Sequence, residues 1–223
     1  MVSARKAGRM LAARNQKMLA CTLGLWLCGS LPVDAGAFDY PLSEEAVRDT
    51  YFLGQNVQKA APFLRQYIRR FPVAQKGPYV REIGLRTPYA EVVHHTFEHS
   101  LNYSAQRAQK DYVAQTPRIV VTVLIFFGRN YLSISQPKYG QEQSAQNREE
   151  FWREFPVIVT QEKPILPSKV TSRSLYGTYG SLSGAEVTLE FDPEQFTSAA
   201  TRVAVNTPSG QITETNFDLE VLR

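Results

Sequence analysis

Cysteine is almost missing from this chain of 223 residues: there are two, Cys21 and Cys28, both within the first 37 positions. Residues 38–223 therefore hold no thiol, which excludes a disulfide framework, a thiolate metal site and a cysteine nucleophile from that stretch. Histidine is scarce as well, with three copies all inside His94–His99. Long apolar runs are lacking. The run Met18–Cys28 covers about eleven residues against the roughly 20 that a membrane-spanning helix needs. There is no internal repeat and no phosphate-cradling glycine loop.

What the first 37 residues do have is the layout of a cleavable export signal. Arg5, Lys6, Arg9, Arg14 and Lys17 precede the apolar run, and a polar stretch then ends in Asp34-Ala35-Gly36-Ala37. Ala35 and Ala37 occupy the two small-residue positions before a cleavage point. Met10 would open a more typical signal than Met1. No twin-arginine pair precedes the run, so the expected route is general export in an unfolded state, ending in the periplasm or outside the cell. Cys28 follows the bulky Leu27, which disfavours a lipid-modified cysteine. No stable transmembrane anchor is expected after cleavage.

Cleavage changes the charge. Taking five basic residues and Asp34 away from totals of 25 Lys+Arg and 21 Asp+Glu leaves 20 of each sign. The basic character of the chain belongs to the leader, and the bulk electrostatic argument for nucleic-acid binding goes with it. Residues 38–223 are numerous enough to bury roughly 70% of their unfolded surface without disulfides. A cysteine-free export product of this kind fits a bacterial envelope.

The pattern predicts an α+β fold: N-terminal helices packed on a mainly antiparallel, sandwich-like C-terminal half. Helical spacing runs through Ala46, Val47, Tyr51 and Phe52 after Ser43, with Gly54 weakening the run. A second helix is expected to restart at Pro62 and carry Phe63, Leu64, Tyr67, Ile68 and Phe71 to Pro72. Ser104 to Gln115 reads as another. Ile119–Phe127 is apolar on both alternating faces, the mark of a strand buried on both sides. Phe155/Val157/Val159, Val187/Leu189/Phe191, Val203/Val205 and Phe217/Leu219/Val221 alternate as half-buried strands. Leu175–Gly180 and Gly180–Gly184 read as loop and flexible turn, and Gln136–Glu150 as an exposed connection. The expected organisation is one domain over 38–223, with a helical front to about 116 and a β-rich back from about 117. A split near residue 116 is the alternative.

One segment carries a chemical pattern. His95-Thr-Phe-Glu98-His99 matches H-x-x-E-H and resembles the inverted zinc metallopeptidases over these five residues. That resemblance implies zinc on His95 and His99, with Glu98 as the base for a bound water. The family's further carboxylate would come from Glu142, Glu149 or Glu150. Residues 89–101 suit a helix begun by Thr87-Pro88, or a strand favoured by Val92-Val93, and on a strand Glu91 is a possible third ligand. Ser135-Gln-Pro-Lys138 is formally S-x-x-K, but Pro137 breaks the helix start such enzymes use. Phe151, Trp152, Tyr176 and Tyr179 are the aromatics placed to stack on a sugar or a protein partner, or else to seal the sandwich ends.

The expectation is an exported, non-catalytic binding or envelope-associated protein, needing no cofactor, with a protein or glycan partner. The competing reading is a metal-dependent hydrolase using His95, Glu98 and His99.

Overall fold

The computed structural model describes residues 40–74, 77–128, 150–178 and 180–222. The leader, Ser135 and Lys138, the glutamine-rich connection as far as residue 149, and Tyr179 lie outside them.

Each of the four α-helices among the described residues starts on a side chain that satisfies an otherwise unpaired backbone N–H. Ser43 caps α1 (Glu44–Gln55), with Glu44 and Glu45 in the positively polarised first turn. Asn56 ends α1 through its backbone N–H and begins α2 (Val57–Arg65) by accepting from the Lys59 N–H. Thr87 caps α3 (Pro88–Glu98), where Pro88 loses nothing because a first-turn N–H has no intrahelical partner. Ser104 caps α4 (Ala105–Ala114). Residues 88–98 are thus helical, which settles the helix-or-strand question for the histidine segment. The helices share a buried cluster of Leu42, Val47, Ala60, Tyr89, Val93 and Ala108.

Among the described residues nine strands form two antiparallel sheets. The first takes β1 (Ile68–Arg70), β2 (Pro78–Arg86), β3 (Ile119–Phe127), β6 (Lys169–Tyr176) and β7 (Leu182–Phe191) in the order β1-β2-β3-β7-β6. The second takes β4 (Val157–Thr160), β5 (Pro164–Ile165), β8 (Ala200–Asn206) and β9 (Ile212–Asp218) in the order β5-β4-β8-β9. Strand β3 lies at the centre of the larger sheet, as its continuous apolar run demands. Val121, Val123 and Ile125 from β3 and Val187 and Leu189 from β7 share one core with Val203, Val205 and Phe217 of the second sheet. Burying each such side chain is worth about 1.5–3 kcal/mol. The class is therefore α+β, with the helices N-terminal to the strand-rich half, and the described residues belong to one compact unit.

The two sides of the sandwich differ. On one, the Arg69 guanidinium of β1 stands 5.1 Å from the centroid of the Phe217 ring on β9. On the other, β6 overhangs, and Lys169–Arg173 are exposed on both strand faces.

Several local expectations need correction. The second helix begins at Val57 and not at Pro62, which sits inside it. It stops at Arg65, and Ile68–Arg70 pair with Gly84–Glu82 as a strand. The Leu85 N–H donates to the Tyr67 carbonyl at 2.9 Å, so tertiary pairing overrides the helical stripe. The front half also supplies β2, whose inward residues Val80, Ile83 and Leu85 are thrown out of simple alternation by a bulge between Val80 and Glu82. Leu175 and Tyr176 end β6 and do not lie in a loop. Ser183 and Gly184 are within β7, where a Cβ on Gly184 would lie 2.2 Å from the Ile125 carbonyl oxygen. Strand β9 ends at Asp218, whose carboxylate accepts the Glu220 N–H and turns the chain, leaving Val221 72% exposed and off the Phe217 face.

Candidate functional site

Because α3 is a helix, His95 and His99 fall four residues apart on one side of it. Their ring centroids are 4.3 Å apart and the rings tilt by 30°. His99 is also the C-cap, and its Nδ1 lies 2.9 Å from the His95 carbonyl oxygen. A carbonyl oxygen only accepts, so Nδ1 carries the hydrogen and neutral His99 keeps its lone pair on Nε2. The neighbouring His94 turns to the other flank, with Nε2 3.5 Å from Glu98 Oε1. Burial, reinforced by the Arg86 charge, holds His94 below its ordinary pKa against the opposing pull of Glu98 and Glu91.

The His95 side opens into a cleft between α3 and α4. One lobe, of about 270 Å³, is lined by Glu91, His95, Tyr103, Asp111, Tyr112 and Arg118 among others. A wider lobe shares His95, Tyr103 and Asp111 and adds Glu98, His99 and Arg107. His95 meets the Tyr103 ring edge-on with centroids 5.0 Å apart. Burial first, and then the hydrogen bond to the Asp111 carboxylate, raise the Tyr103 phenol well above the ordinary tyrosine value. Arg107 Nε lies 3.8 Å from Asp111. At the far end Arg118 reaches Glu190 at 3.3 Å.

The structure therefore gathers His95, Glu98 and His99 along one cleft. Among the described residues it gathers no group of three or more histidine, aspartate or glutamate side chains close enough to share a metal ion. Glu150 pairs with Arg153 at 3.0 Å and lines neither lobe, while Glu142 and Glu149 lie outside the described residues. The groups that sequence reasoning missed are Tyr103, Asp111 and Arg118. Asp111 had a signal, being the single carboxylate between Glu98 and Glu142. Tyr103 and Arg118 had none, because their position depends on how α4 folds back beside α3.

The aromatic candidates separate. Phe151 is buried against Phe127, with centroids 4.4 Å apart, and seals the core. The Arg153 guanidinium lies 4.9 Å from the Trp152 ring centroid. Tyr176 is 55% exposed at the end of β6. Among the described residues no helix is long and apolar enough to cross a membrane. Comparison with protein-family models and with curated proteins finds no match for this chain.

Proposed function

We propose that this chain is an exported, non-catalytic binding protein, periplasmic or secreted, that takes a small polar group of a protein or glycan partner into the α3–α4 cleft. One observation carries the reading. Hydrogen-bonding groups and aromatic rings from α3, α4, the connection between them and the segment after α4 (His95, Tyr103, Asp111, Tyr112, Arg118) converge on one concavity of about 270 Å³. A concave site with apolar walls and a few convergent polar groups is the usual form of a ligand pocket. The leader supports the address. The test is expression of the full chain in a bacterium, with mass determination of the exported product. That product is expected to begin at Phe38, to be stabilised thermally by at least one member of a panel of short peptides and oligosaccharides, and to lose that response on Asp111→Asn. An uncleaved chain kept in the cytoplasm, or no response to the whole panel, sinks the proposal.

A second reading rests on a different observation: the 4.3 Å approach of the His95 and His99 rings, with Glu98 lining the same lobe. On this reading the chain is a metal-dependent hydrolase, with zinc on the two histidines and Glu98 as base. Zinc content of the untagged chain is the first test. Close to one zinc per chain, lost in the His95→Ala/His99→Ala double variant, supports a metal site and justifies a substrate screen, in which hydrolysis lost on Glu98→Gln carries the hydrolase reading; no metal in either chain retires it.

A further inference from the structure

A second concavity lies on the other flank of α3, over the outer face of the larger sheet. Register places Glu82, Leu124, Glu186 and Arg173 in one row across β2, β3, β7 and β6, and Gly84, Thr122, Thr188 and Thr171 in the next. Where α2, β1 and α3 meet this face they wall a cavity of about 190 Å³, to which Leu64, Ile68 and His94 contribute. Gly84 and Thr122 form its floor, where the missing side chain leaves room for the Thr122 hydroxyl. A Cβ on Gly84 would lie 2.6 Å from the Thr122 Oγ1.

The charges around this cavity are already matched. Glu82 pairs with Arg70 at 2.9 Å, Glu186 with Arg173, and Arg86 with Glu91 at 2.7 Å. Among the described residues an ionic ligand would find no unmatched opposite charge there. A neutral ligand would find unused hydrogen-bonding capacity: spare carboxylate lone pairs on Glu82 and Glu186, spare guanidinium hydrogens on Arg86, and the Thr122 hydroxyl. Such charge-assisted hydrogen bonds are the stronger kind. Beside them Ile68 and Leu124 offer an apolar wall. Donors, acceptors and an apolar patch without net charge are what a sugar ring presents in mirror form, with hydroxyls around its rim and C–H groups on its face.

We propose that the cavity over Gly84 and Thr122 binds one neutral sugar ring, through the carboxylates of Glu82 and Glu186, the Arg86 guanidinium and the Thr122 hydroxyl. The site is separate from the α3–α4 cleft and stands whether or not that cleft binds a partner.

Amide chemical shifts of the isotopically labelled full chain test it. The probes are glucose, galactose, mannose and N-acetylglucosamine, with glucosamine as the cationic control and glucuronic acid as the anionic one. At least one neutral sugar is expected to shift the Gly84, Thr122 and His94 amides saturably. Glu186→Gln keeps the side-chain shape and is expected to weaken that binding about tenfold, the effect of weakening one charge-assisted hydrogen bond. Thr122→Val serves as a second variant, and both are read only with a native-like spectrum. Four outcomes overturn the proposal: no saturable shift with any neutral sugar, shifts confined to His95, Tyr103 and Asp111, tighter binding of either charged control, or unchanged affinity in both variants.

Discussion

A Cβ placed on Gly54 of α1 would lie 2.6 Å from the Thr96 Cβ of α3 and 2.8 Å from the Val93 carbonyl oxygen. This glycine interrupts the helical pattern in sequence, yet it is what lets α1 lie against the helix that carries His94 and His95 and is capped by His99. Gly54→Ala improves helix propensity by about 1 kcal/mol, but overpacking a tight contact costs about 1–3 kcal/mol. The contact involves backbone as well as side chain, so a net loss of stability is expected in urea unfolding. A stabilised variant would show that α1 and α3 do not approach this closely.

Across the same contact, Thr96 Oγ1 is buried with no hydrogen-bond partner among the described residues. Valine fills nearly the same volume without the stranded hydroxyl. Thr96→Val is expected to gain about 1 kcal/mol, the desolvation penalty of one unpaired polar group. Equilibrium unfolding measures it, and a loss of that size would mean that the hydroxyl is satisfied.

A long-range bond ties the chain entering α1 to α4: the Leu42 N–H donates to the Tyr112 hydroxyl at 2.7 Å. Tyr112→Phe leaves that buried N–H without its acceptor and is expected to cost about 1–3 kcal/mol. The effect has a pH signature. Burial raises the Tyr112 pKa above 10.0, outweighing the Leu42 hydrogen bond that lowers it. The stability this shift represents is complete below 10.0 and is lost as pH climbs past that value, where the unfolded chain sheds the proton first. Urea unfolding of the wild type should fall more steeply above 10.0 than that of Tyr112→Phe. Parallel slopes would contradict the burial of this phenol.

Arg69→Ala removes the cation from the face of Phe217. A loss of about 0.5–1 kcal/mol is expected from the cation–π contact. Removing the alkyl stem should also bring Phe217, fully buried in the native chain, closer to solvent. Unfolding measurements on Arg69→Ala and Arg69→Lys separate the two contributions, since lysine keeps stem and charge but not the planar group. A neutral result in both would mean that the contact adds nothing to the seam.

Much of the fold was readable where one residue decides one element. Ser43, Thr87-Pro88 and Ser104 start three helices, and the run Ile119–Phe127 gives the central strand because both of its faces are buried. The failures are long-range. Tyr67 and Ile68 keep helical spacing with Phe63, but partners on β2, a dozen or more residues on, pull Ile68–Arg70 into a strand. One bulged residue hides β2 by moving its inward positions out of alternation. Gly184 resembles a turn residue and in fact marks a point where two strands touch. For the site, His95, Glu98 and His99 were legible as one segment, but its periodicity suited a helix and a strand alike, and only the fold makes it helical. Their company was not legible: Tyr103 and Asp111 reach them only because α4 folds back, and Glu82, Thr122 and Glu186 meet only through sheet register.

The unequal sides of the sandwich set the order in which it breathes. Arg69 over Phe217 latches β1 to β9, whereas Lys169–Arg173 of β6 have neither face covered. Amide hydrogen exchange should begin in β6 and travel inward through β7, reaching the β3 core only on global unfolding. The row Glu186–Arg173 lies on the two strands that detach first. The sugar cavity would then lose one wall while the histidine cleft stays whole, so these two concavities answer to different parts of the energy landscape.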